Sequence, residues 1–150
     1  MEKYSRIKAL ISLDAIRYNF EQMKKNIKEG TKIIAVIKAD AYGHGAVPIA
    51  RMLEEFDYIW GFAAATAQEA LQLRKAGITR PILILGLVFE EYYKKLAEND
   101  VRMAVCDYET ARKFNKAAEA AGKKGLIHLA VDTGMTRIGF PDREESVALI

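Results

Sequence analysis

The chain has 150 residues, 51% of them hydrophobic, and a formal net charge of +3 at pH 7. This length allows one sizeable core, and the small charge, without a long basic run, gives no indication of nucleic-acid binding. One cysteine and two histidines are too few for a disulfide framework or a metal cluster, so no metal site is predicted. The charged first residues and the lack of an apolar run of membrane-spanning length favour a cytoplasmic protein with no membrane partner.

The first segment is predicted to form a strand followed by a helix. Residues 6–13 alternate loosely between polar and apolar side chains, which favours a strand. Asp14 is predicted to cap a helix that extends to about Ile27. The apolar residues of this helix fall on one face at helical spacing: Ile16, Phe20, Met23 and Ile27.

Five consecutive apolar residues, Ile33 to Ile37, lead directly into Lys38. Such a run is typical of a strand buried on both faces, as in a parallel sheet. An amine partly removed from water loses some of its preference for the charged form, and a neutral amine is a nucleophile toward carbonyls. Lys38 is therefore a candidate Schiff-base lysine, and an ordinary surface lysine at a strand end is the alternative.

The rest of the chain alternates between apolar strands and amphipathic helices. Strands are predicted over residues 58–65, 81–86, 101–106 and 126–131, with helices between them and at residues 146–150. Thr66 and Glu69 predict a capping box at the start of one helix, and Asp107 is predicted to cap another. Cys106 is expected to be a small core residue.

Strict alternation of strands and helices with short connections predicts a parallel sheet with right-handed crossovers. From the residues alone, an open doubly wound sheet and a closed barrel both remain possible. The first strand is not followed by the Gly-x-Gly-x-x-Gly pattern, which weakens the dinucleotide-binding version of the open sheet.

Two blocks of sequence contain the candidate functional residues. The first is Lys38-Ala39-Asp40-Ala41-Tyr42-Gly43-His44-Gly45, and the second is Val131-Asp132-Thr133-Gly134-Met135-Thr136-Arg137-Ile138-Gly139. Both resemble the alanine racemase family, whose members use pyridoxal 5'-phosphate (PLP); Thr136 stands where glycine is common in that family. The resemblance implies an α/β fold in which residues 1–150 are the N-terminal part, about five strands, of a (β/α)₈ TIM-type barrel. The remaining barrel strands and a C-terminal β domain would be absent from this chain.

The resemblance also implies a set of functional residues. Lys38 would form the Schiff base with PLP and act as one of two acid/base groups. Tyr42 would hold the cofactor phosphate, and Arg137 would bind the cofactor's phenolic oxygen and orient the substrate carboxylate. His44 is expected to make only local hydrogen bonds. If Lys38 points into the barrel, period-two alternation places Ile34 and Val36 inward beneath it, with Ile33, Ala35 and Ile37 facing the helices.

The implied activity is racemisation of alanine, which supplies D-alanine for peptidoglycan, by a homodimer whose active site is shared between subunits. The second acid/base group is a tyrosine of the partner subunit's C-terminal domain, so this chain alone is expected to be inactive. The family's common lysine two residues before Asp132 is replaced by Ala130, which leaves the support of Arg137 open. A serine-accepting racemase, a non-catalytic PLP-binding barrel and a structural part-barrel remain as alternatives.

Overall fold

The structure, a computed structural model, describes residues 7–148. Strands and helices alternate along it. The strands are β1 (Ile33–Val36), β2 (Ile59–Ala64), β3 (Ile82–Ile84), β4 (Val101–Val105), β5 (Ile127–Leu129), β6 (Val131–Asp132) and β7 (Phe140–Pro141). The helices are α1 (Leu13–Lys25), α2 (Lys38–Gly43), α3 (Ala46–Leu53), α4 (Ala67–Lys75), α5 (Tyr93–Glu98), α6 (Tyr108–Ala120) and α7 (Glu144–Val147), with a 3-10 turn, Glu90–Tyr92, before α5.

The strands β1 to β5 form one parallel sheet in the order in which they occur along the chain. Each strand pairs with the next one, for example Val36 opposite Ala63 and Ala64 opposite Ile84. Because the strands are parallel, all of their carboxyl ends lie at the same edge of the sheet. That edge is where the residues predicted to carry the chemistry are found.

Among residues 7–148, the helices pack against one face of the sheet. Ala35, Phe62, Ile84 and Met103 lie on this face and join residues of the helices in a single core. In β1 the exposed fractions of Ala35 and Ile37 are 4%, whereas those of Ile34 and Val36 are 37% and 42%. A doubly wound sheet would have helices on both faces. Sequential parallel strands with helices on one face are the N-terminal part of a (β/α)₈ barrel, as predicted.

The predicted alternation within β1 is confirmed, but the expectation that the strand is buried on both faces is wrong. Ala35 and Ile37 pack in the core, Ile33 packs partly against it, and Ile34 and Val36 lie on the open face. The open face corresponds to the interior of a barrel, which is filled by side chains from strands around the whole circumference. The described strands provide only part of that circumference.

Glycine at position 61 allows β2 to lie close to the start of β3. A Cβ atom at Gly61 would lie 2.2 Å from the carbonyl oxygen of Pro81, closer than any side chain tolerates. The same carbonyl accepts a hydrogen bond from the amide of Phe62 at 2.8 Å. The small residue is therefore required by sheet pairing and leaves no cavity beside it.

Two of the three predicted helix caps are confirmed, and the prediction for the third helix start is wrong. The Thr66 hydroxyl accepts a hydrogen bond from the Glu69 amide at 3.2 Å, and the Glu69 carboxylate accepts one from the Thr66 amide at 3.3 Å. Asp107 caps α6 through the Thr110 amide at 2.7 Å. At α1 the cap is Ser12, which accepts from the Ala15 amide at 3.1 Å, and the predicted cap, Asp14, lies in the first helical turn.

Three further expectations need correction. Residues 7–12 form no strand and are exposed, and Arg6 lies outside the described residues; loose alternation of polar and apolar residues is a weak strand signal. Cys106 is half-buried at the end of β4, with its Sγ 3.8 Å from Asp107 Oδ2, and is not a core residue. The strand predicted over 126–131 is divided, because Ala130 donates its amide to Val105 of β4 while its carbonyl accepts from Phe140 of β7.

Of the final predicted helix, α7 covers Glu144–Val147, and residues 149–150 lie outside the described part. Between residues 7 and 148, no helix has the length and apolar character needed to cross a membrane. The same part of the chain contains no group of three or more acidic, histidine or cysteine side chains that could hold a metal ion.

Candidate active site

Lys38 lies where β1 ends at the carboxyl edge of the sheet. The preceding residue, Ile37, is 4% exposed and still donates its amide to Ala63 of β2 at 2.9 Å. Lys38 itself is half-buried. Its Nζ lies 5.9 Å from the centre of the Tyr42 ring, and within residues 7–148 it makes no ion pair or hydrogen bond. The backbone just before Lys38 is therefore held by the sheet, while the amino group at the end of the side chain has no ion-pair or hydrogen-bond partner among the described residues.

The residues after Lys38 form a left-handed helical turn. Ala39, Asp40, Ala41 and Tyr42 have φ values of 49°, 51°, 53° and 55°. This conformation costs roughly 1–2 kcal/mol per residue for residues other than glycine. A run of this kind persists only where surrounding contacts favour it over the alternatives.

Backbone hydrogen bonds supply part of that support. The Ala41 amide donates to Ile37 at 2.9 Å, and the Gly45 amide donates to the carbonyl of Asp40 at 2.8 Å. The His44 ring places Nδ1 2.9 Å from the carbonyl oxygen of Ala41, which confirms the expected local role of this histidine. These bonds close the turn on itself and direct the chain into α3.

Two carboxylates tie the left-handed turn to the neighbouring helices. Asp40 Oδ1 accepts a hydrogen bond from the amide of Ala46, the first residue of α3, at 2.7 Å. Glu69, from the first turn of α4, accepts one from the Ala39 amide at 2.8 Å through Oε1. The sequence predicted Glu69 only as part of a capping box, and no role was predicted for Asp40. For Asp40 the available signal was a carboxylate six positions before a helix start that has glycine at its cap position, and for Glu69 no local signal connects it with Ala39.

Tyr42 is the last left-handed residue of the turn and is 60% exposed. Lys38 and Tyr42 are four positions apart, and the turn brings both side chains to the same side, as the 5.9 Å contact between amine and ring shows. Gly43 and Gly45 follow with φ of 84° and 92°, and no atom lies within 4 Å of the site of a Cβ at Gly43. The backbone beside Tyr42 is therefore open to a ligand.

Arg137 belongs to a loop that Asp132 organises. The carboxylate of Asp132 accepts from the amides of Gly134 and Thr136, each at 2.9 Å. The amides of Thr136 and Gly134 hold the pKa of Asp132 below its ordinary value, because they stabilise the charged form. Thr136, at the position where glycine is common, adopts a positive φ of 54°.

The end of this loop is fixed by a close backbone approach. A Cβ at Gly139 would lie 2.6 Å from the amide nitrogen of Asp132, so only glycine allows β7 to pair beside β6. Arg137 lies exposed within the loop; its backbone amide is one of those that stabilise the Asp132 carboxylate, while its guanidinium has no carboxylate or other hydrogen-bond partner among residues 7–148. Ala130 contributes only a methyl group near the loop. The guanidinium is therefore presented without an internal anion.

The structure brings Lys38 and Tyr42 together beside β1, the first strand of the sheet, whereas Arg137 lies beyond β5, the last strand. Lys38 follows β1 and Arg137 follows β5 and β6, so four strand pairings separate them. In an eight-stranded barrel the first and fifth strands face each other across the mouth. Strand spacing of ~4.8 Å and a tilt of ~36° give such a barrel a diameter of about 15 Å. In such a barrel Lys38 and Arg137 would lie on opposite sides of one mouth.

A cluster of three side chains on the open face, Trp60, Arg102 and His128, was not predicted from the sequence. The Arg102 guanidinium lies 5.0 Å from the centre of the Trp60 ring, and the His128 ring lies 5.6 Å from the same tryptophan. Burial and the nearby Arg102 charge lower the pKa of His128. Arg102 and His128 lie on β4 and β5, and the group fills part of the barrel interior away from Lys38.

Comparisons with known proteins agree with this architecture. The sequence model of the family described as alanine racemase, N-terminal domain, matches residues 11–150. The chain is 42% identical to alanine racemase 1 of Oceanobacillus iheyensis over 142 residues, which cover 93% of this chain and 37% of that protein. It is similar in the same way to an alanine racemase of Methanococcus maripaludis, at 42% identity over 95% of this chain and 38% of that protein.

Among solved structures, alanine racemase of Clostridium difficile 630 in complex with cycloserine superposes with a TM-score of 0.89 at 45% identity. The match covers 92% of this chain and 38% of that one. Histidine racemase from Leuconostoc mesenteroides subsp. sake superposes with a TM-score of 0.82 at 33% identity, over 93% of this chain and 37% of that one. The chain thus spans less than two fifths of the length of each of these relatives.

Proposed function

The chain belongs to the alanine racemase N-terminal domain family, and we propose that the complete protein containing it interconverts L-alanine and D-alanine with PLP as cofactor. The observation that carries the proposal is the arrangement at the end of β1. A lysine with a free amine stands there beside Tyr42, on a left-handed turn held by two carboxylates.

The side chains of this chain fit PLP. Lys38 offers an amine without an ion-pair partner among the described residues, as a covalent bond to an aldehyde requires. Tyr42 offers an exposed hydroxyl to the phosphate, beside a glycine with open space around it. Arg137 offers a permanently charged planar donor to the phenolic oxygen. When bound, PLP withdraws electron density from the α-carbon of an amino acid and so makes its proton removable.

The work of this chain is then to bind, orient and move one proton. The amine of Lys38, once free, takes or gives the proton on one face of the substrate's α-carbon. Arg137 orients the substrate carboxylate through paired N–H donors. An acid/base group for the opposite face and most phosphate contacts would come from outside residues 1–150, and we propose a homodimer in which a partner subunit supplies the tyrosine.

The proposed setting follows from the proposed activity. We infer a cytoplasmic enzyme whose product, D-alanine, is used for peptidoglycan. Serine is the nearest competing substrate, because a pocket cannot strongly reject an analogue that adds one hydroxyl.

A second candidate substrate is histidine, and a specific observation favours testing it. The histidine racemase of Leuconostoc mesenteroides shares this architecture at 33% identity. The residues singled out here bind groups common to all amino acids and to the cofactor. Discrimination between side chains would therefore depend on residues outside the two sequence blocks.

The experiment uses the purified full-length protein. Incubation with PLP followed by borohydride reduction should label Lys38, located by mass spectrometry of the peptide, and a Lys38→Ala variant should remain unlabelled there. L-Alanine, L-serine and L-histidine are then supplied in parallel and the D-enantiomers measured by chiral chromatography.

We expect D-alanine as the main product and none from Lys38→Ala. Labelling of Lys38 without formation of any D-amino acid would favour a non-catalytic PLP-binding barrel, and absence of labelling would favour a purely structural role. D-Histidine as the main product would favour the second candidate. The chain of residues 1–150 alone should show no turnover above its own Lys38→Ala control.

A further inference from the structure

We propose that Glu69 is the positioning residue for Lys38. Its carboxylate joins the amide that follows Lys38 to the carboxyl end of β2, and so fixes the backbone from which the reactive amine extends. This inference rests on the proposed function, since it concerns the lysine that would bind PLP. It assigns to a residue of α4 a role in the site that a helix cap does not require.

Both oxygens of the Glu69 carboxylate are used. Oε1 accepts from the Ala39 amide at 2.8 Å, and Oε2 accepts from the Ala65 amide at 2.8 Å and the Thr66 amide at 3.3 Å. Ala39 directly follows Lys38, and Ala65 directly follows β2. One side chain therefore holds together the ends of two neighbouring strands at the edge where the lysine lies.

A capping box does not account for these contacts. In a capping box the third helical residue accepts only from the amide of the cap residue, here Thr66. The bonds to Ala39 and Ala65 are additional, and that to Ala39 spans thirty positions of sequence. Ala39 stands in the first turn of a helix, where amides have no partner within the helix. The turn itself offers the Ala39 N–H no acceptor, so without the Glu69 carboxylate this amide would lack a hydrogen-bond partner within the part of the protein that the structure describes.

Replacement by glutamine separates the two roles. Glutamine is an accepted capping-box residue, but it has one acceptor oxygen and one NH₂ donor. Two amides lie on one side of the carboxylate and one on the other, so the oxygen is expected to turn toward Ala65 and Thr66. The NH₂ group would then face the Ala39 N–H, donor against donor. Glu69→Gln should therefore keep the cap and lose the bond beside Lys38.

The matched control is Thr66→Ala. It removes the other half of the capping box, the hydroxyl that accepts from the Glu69 amide, and leaves the carboxylate in contact with Ala39. Both variants are made in the full-length protein, and their thermal midpoints are measured without PLP. A helix-cap role predicts that Thr66→Ala is the more damaging of the two in every measurement.

The first measurement needs no cofactor: hydrogen exchange followed by mass spectrometry on peptides that cover Lys38–Gly43. Glu69→Gln should exchange its amides in this segment about tenfold or more faster than the unaltered protein, and Thr66→Ala should not. The second measurement is the rate of borohydride-trapped PLP labelling at Lys38. It should fall about ten- to hundredfold in Glu69→Gln and stay within about threefold of the unaltered protein in Thr66→Ala. Where racemisation is measurable, kcat should fall more than KM rises.

The outcomes are distinguishable. Slower labelling and faster exchange in Glu69→Gln alone support the positioning role. Equal labelling rates in Glu69→Gln and Thr66→Ala, or unchanged exchange in Glu69→Gln, overturn it while leaving the proposed function intact. Absence of labelling in the unaltered protein overturns the proposed function, and with it the role of Glu69 toward the cofactor.

Discussion

Asp40 acts as the cap of a helix that begins six residues later, and replacing it should loosen the start of that helix. The residue at the cap position of α3 is Gly45, which has no side chain, and Asp40 Oδ1 accepts instead from the Ala46 amide at 2.7 Å. Asp40 also stands in the left-handed region, with φ of 51°. Asp40→Ala removes the acceptor and places an alanine where aspartate and asparagine are better tolerated. Asp40→Asn retains an acceptor oxygen and that tolerance.

The magnitude follows from these two terms. Loss of a capping aspartate costs typically ~1 kcal/mol, and a several-fold preference for aspartate over alanine in the left-handed region corresponds to about 1 kcal/mol more. Together they predict a loss of about 2 kcal/mol in the local stability of the turn and the first turn of α3. At 1.4 kcal/mol for each factor of ten, local opening should become roughly thirtyfold more frequent in Asp40→Ala.

Hydrogen exchange followed by mass spectrometry on the full-length protein measures this directly. Peptides that cover Ala46–Leu53 should exchange their protected amides roughly thirtyfold faster in Asp40→Ala and within about threefold of the unaltered rate in Asp40→Asn. Peptides from α6 serve as the internal control, because α6 lies remote from the turn. If Asp40→Ala exchanged at the unaltered rate, or if Asp40→Asn exchanged as fast as Asp40→Ala, the capping argument would be refuted.

Three further substitutions test other parts of the structure. Gly61→Ala places a Cβ 2.2 Å from the Pro81 carbonyl, so β2 must move away from β3; we expect a loss of about 3 kcal/mol or failure to fold, and a denaturation midpoint equal to that of the unaltered protein would contradict this close approach. Asp107 has a lowered pKa because it accepts from the Thr110 amide and hydroxyl, so its contribution to stability is present above about pH 4 and is lost as the pH falls through its folded-state pKa. As the pH is lowered from about 6 to 2, the thermal midpoint of Asp107→Asn should therefore fall less steeply than that of the unaltered protein, because asparagine keeps a capping oxygen that does not titrate. Equal slopes in the two proteins would argue against a stabilising role of the charged Asp107 carboxylate. Arg137→Lys retains the charge and loses the paired donors, and we expect kcat/KM for alanine to fall about tenfold or more while Lys38 still becomes labelled by PLP; full activity in this variant would exclude the proposed role of Arg137.

The arrangement of strands and helices could be predicted because local sequence decides it. The apolar run at Ile33–Val36 alternates as expected between core and open faces. Thr66 with Glu69 and Asp107 act at the helix starts where their spacing placed them. Each of these features depends on residues within a few positions of one another, and periodicity and capping describe interactions at that range.

The left-handed turn after Lys38 could not be predicted in this way. Alanine and tyrosine have no preference for the left-handed region, and a single aspartate, Asp40, is too weak a signal to indicate four such residues in a row. The conformation is supported by Glu69, thirty positions away from Ala39, and by an amide of α3. The resemblance of the sequence block to a known family identified the residues that matter, but not the contacts that hold them.

The region around Arg137 shows the same limit. A single strand was expected over 126–131, whereas Ala130 changes partners from β4 to β7. The pairing of β6 with β7 depends on Gly139 lying beside Asp132, a contact that apolar alternation does not encode. The strand predicted over residues 6–13 is wrong for residues 7–12, because loose alternation alone does not specify a strand.

The sequential strand order has a consequence for how the site would be assembled during synthesis. Each strand pairs with the one made just before it, so the sheet can grow from its first strand as the polypeptide leaves the ribosome. Every contact described for the turn after Lys38 is made by residues between Ile37 and Glu69. The loop of Arg137 is organised by contacts within residues 130–141. The contacts that hold the turn after Lys38 are therefore made by residues that are all translated well before Arg137.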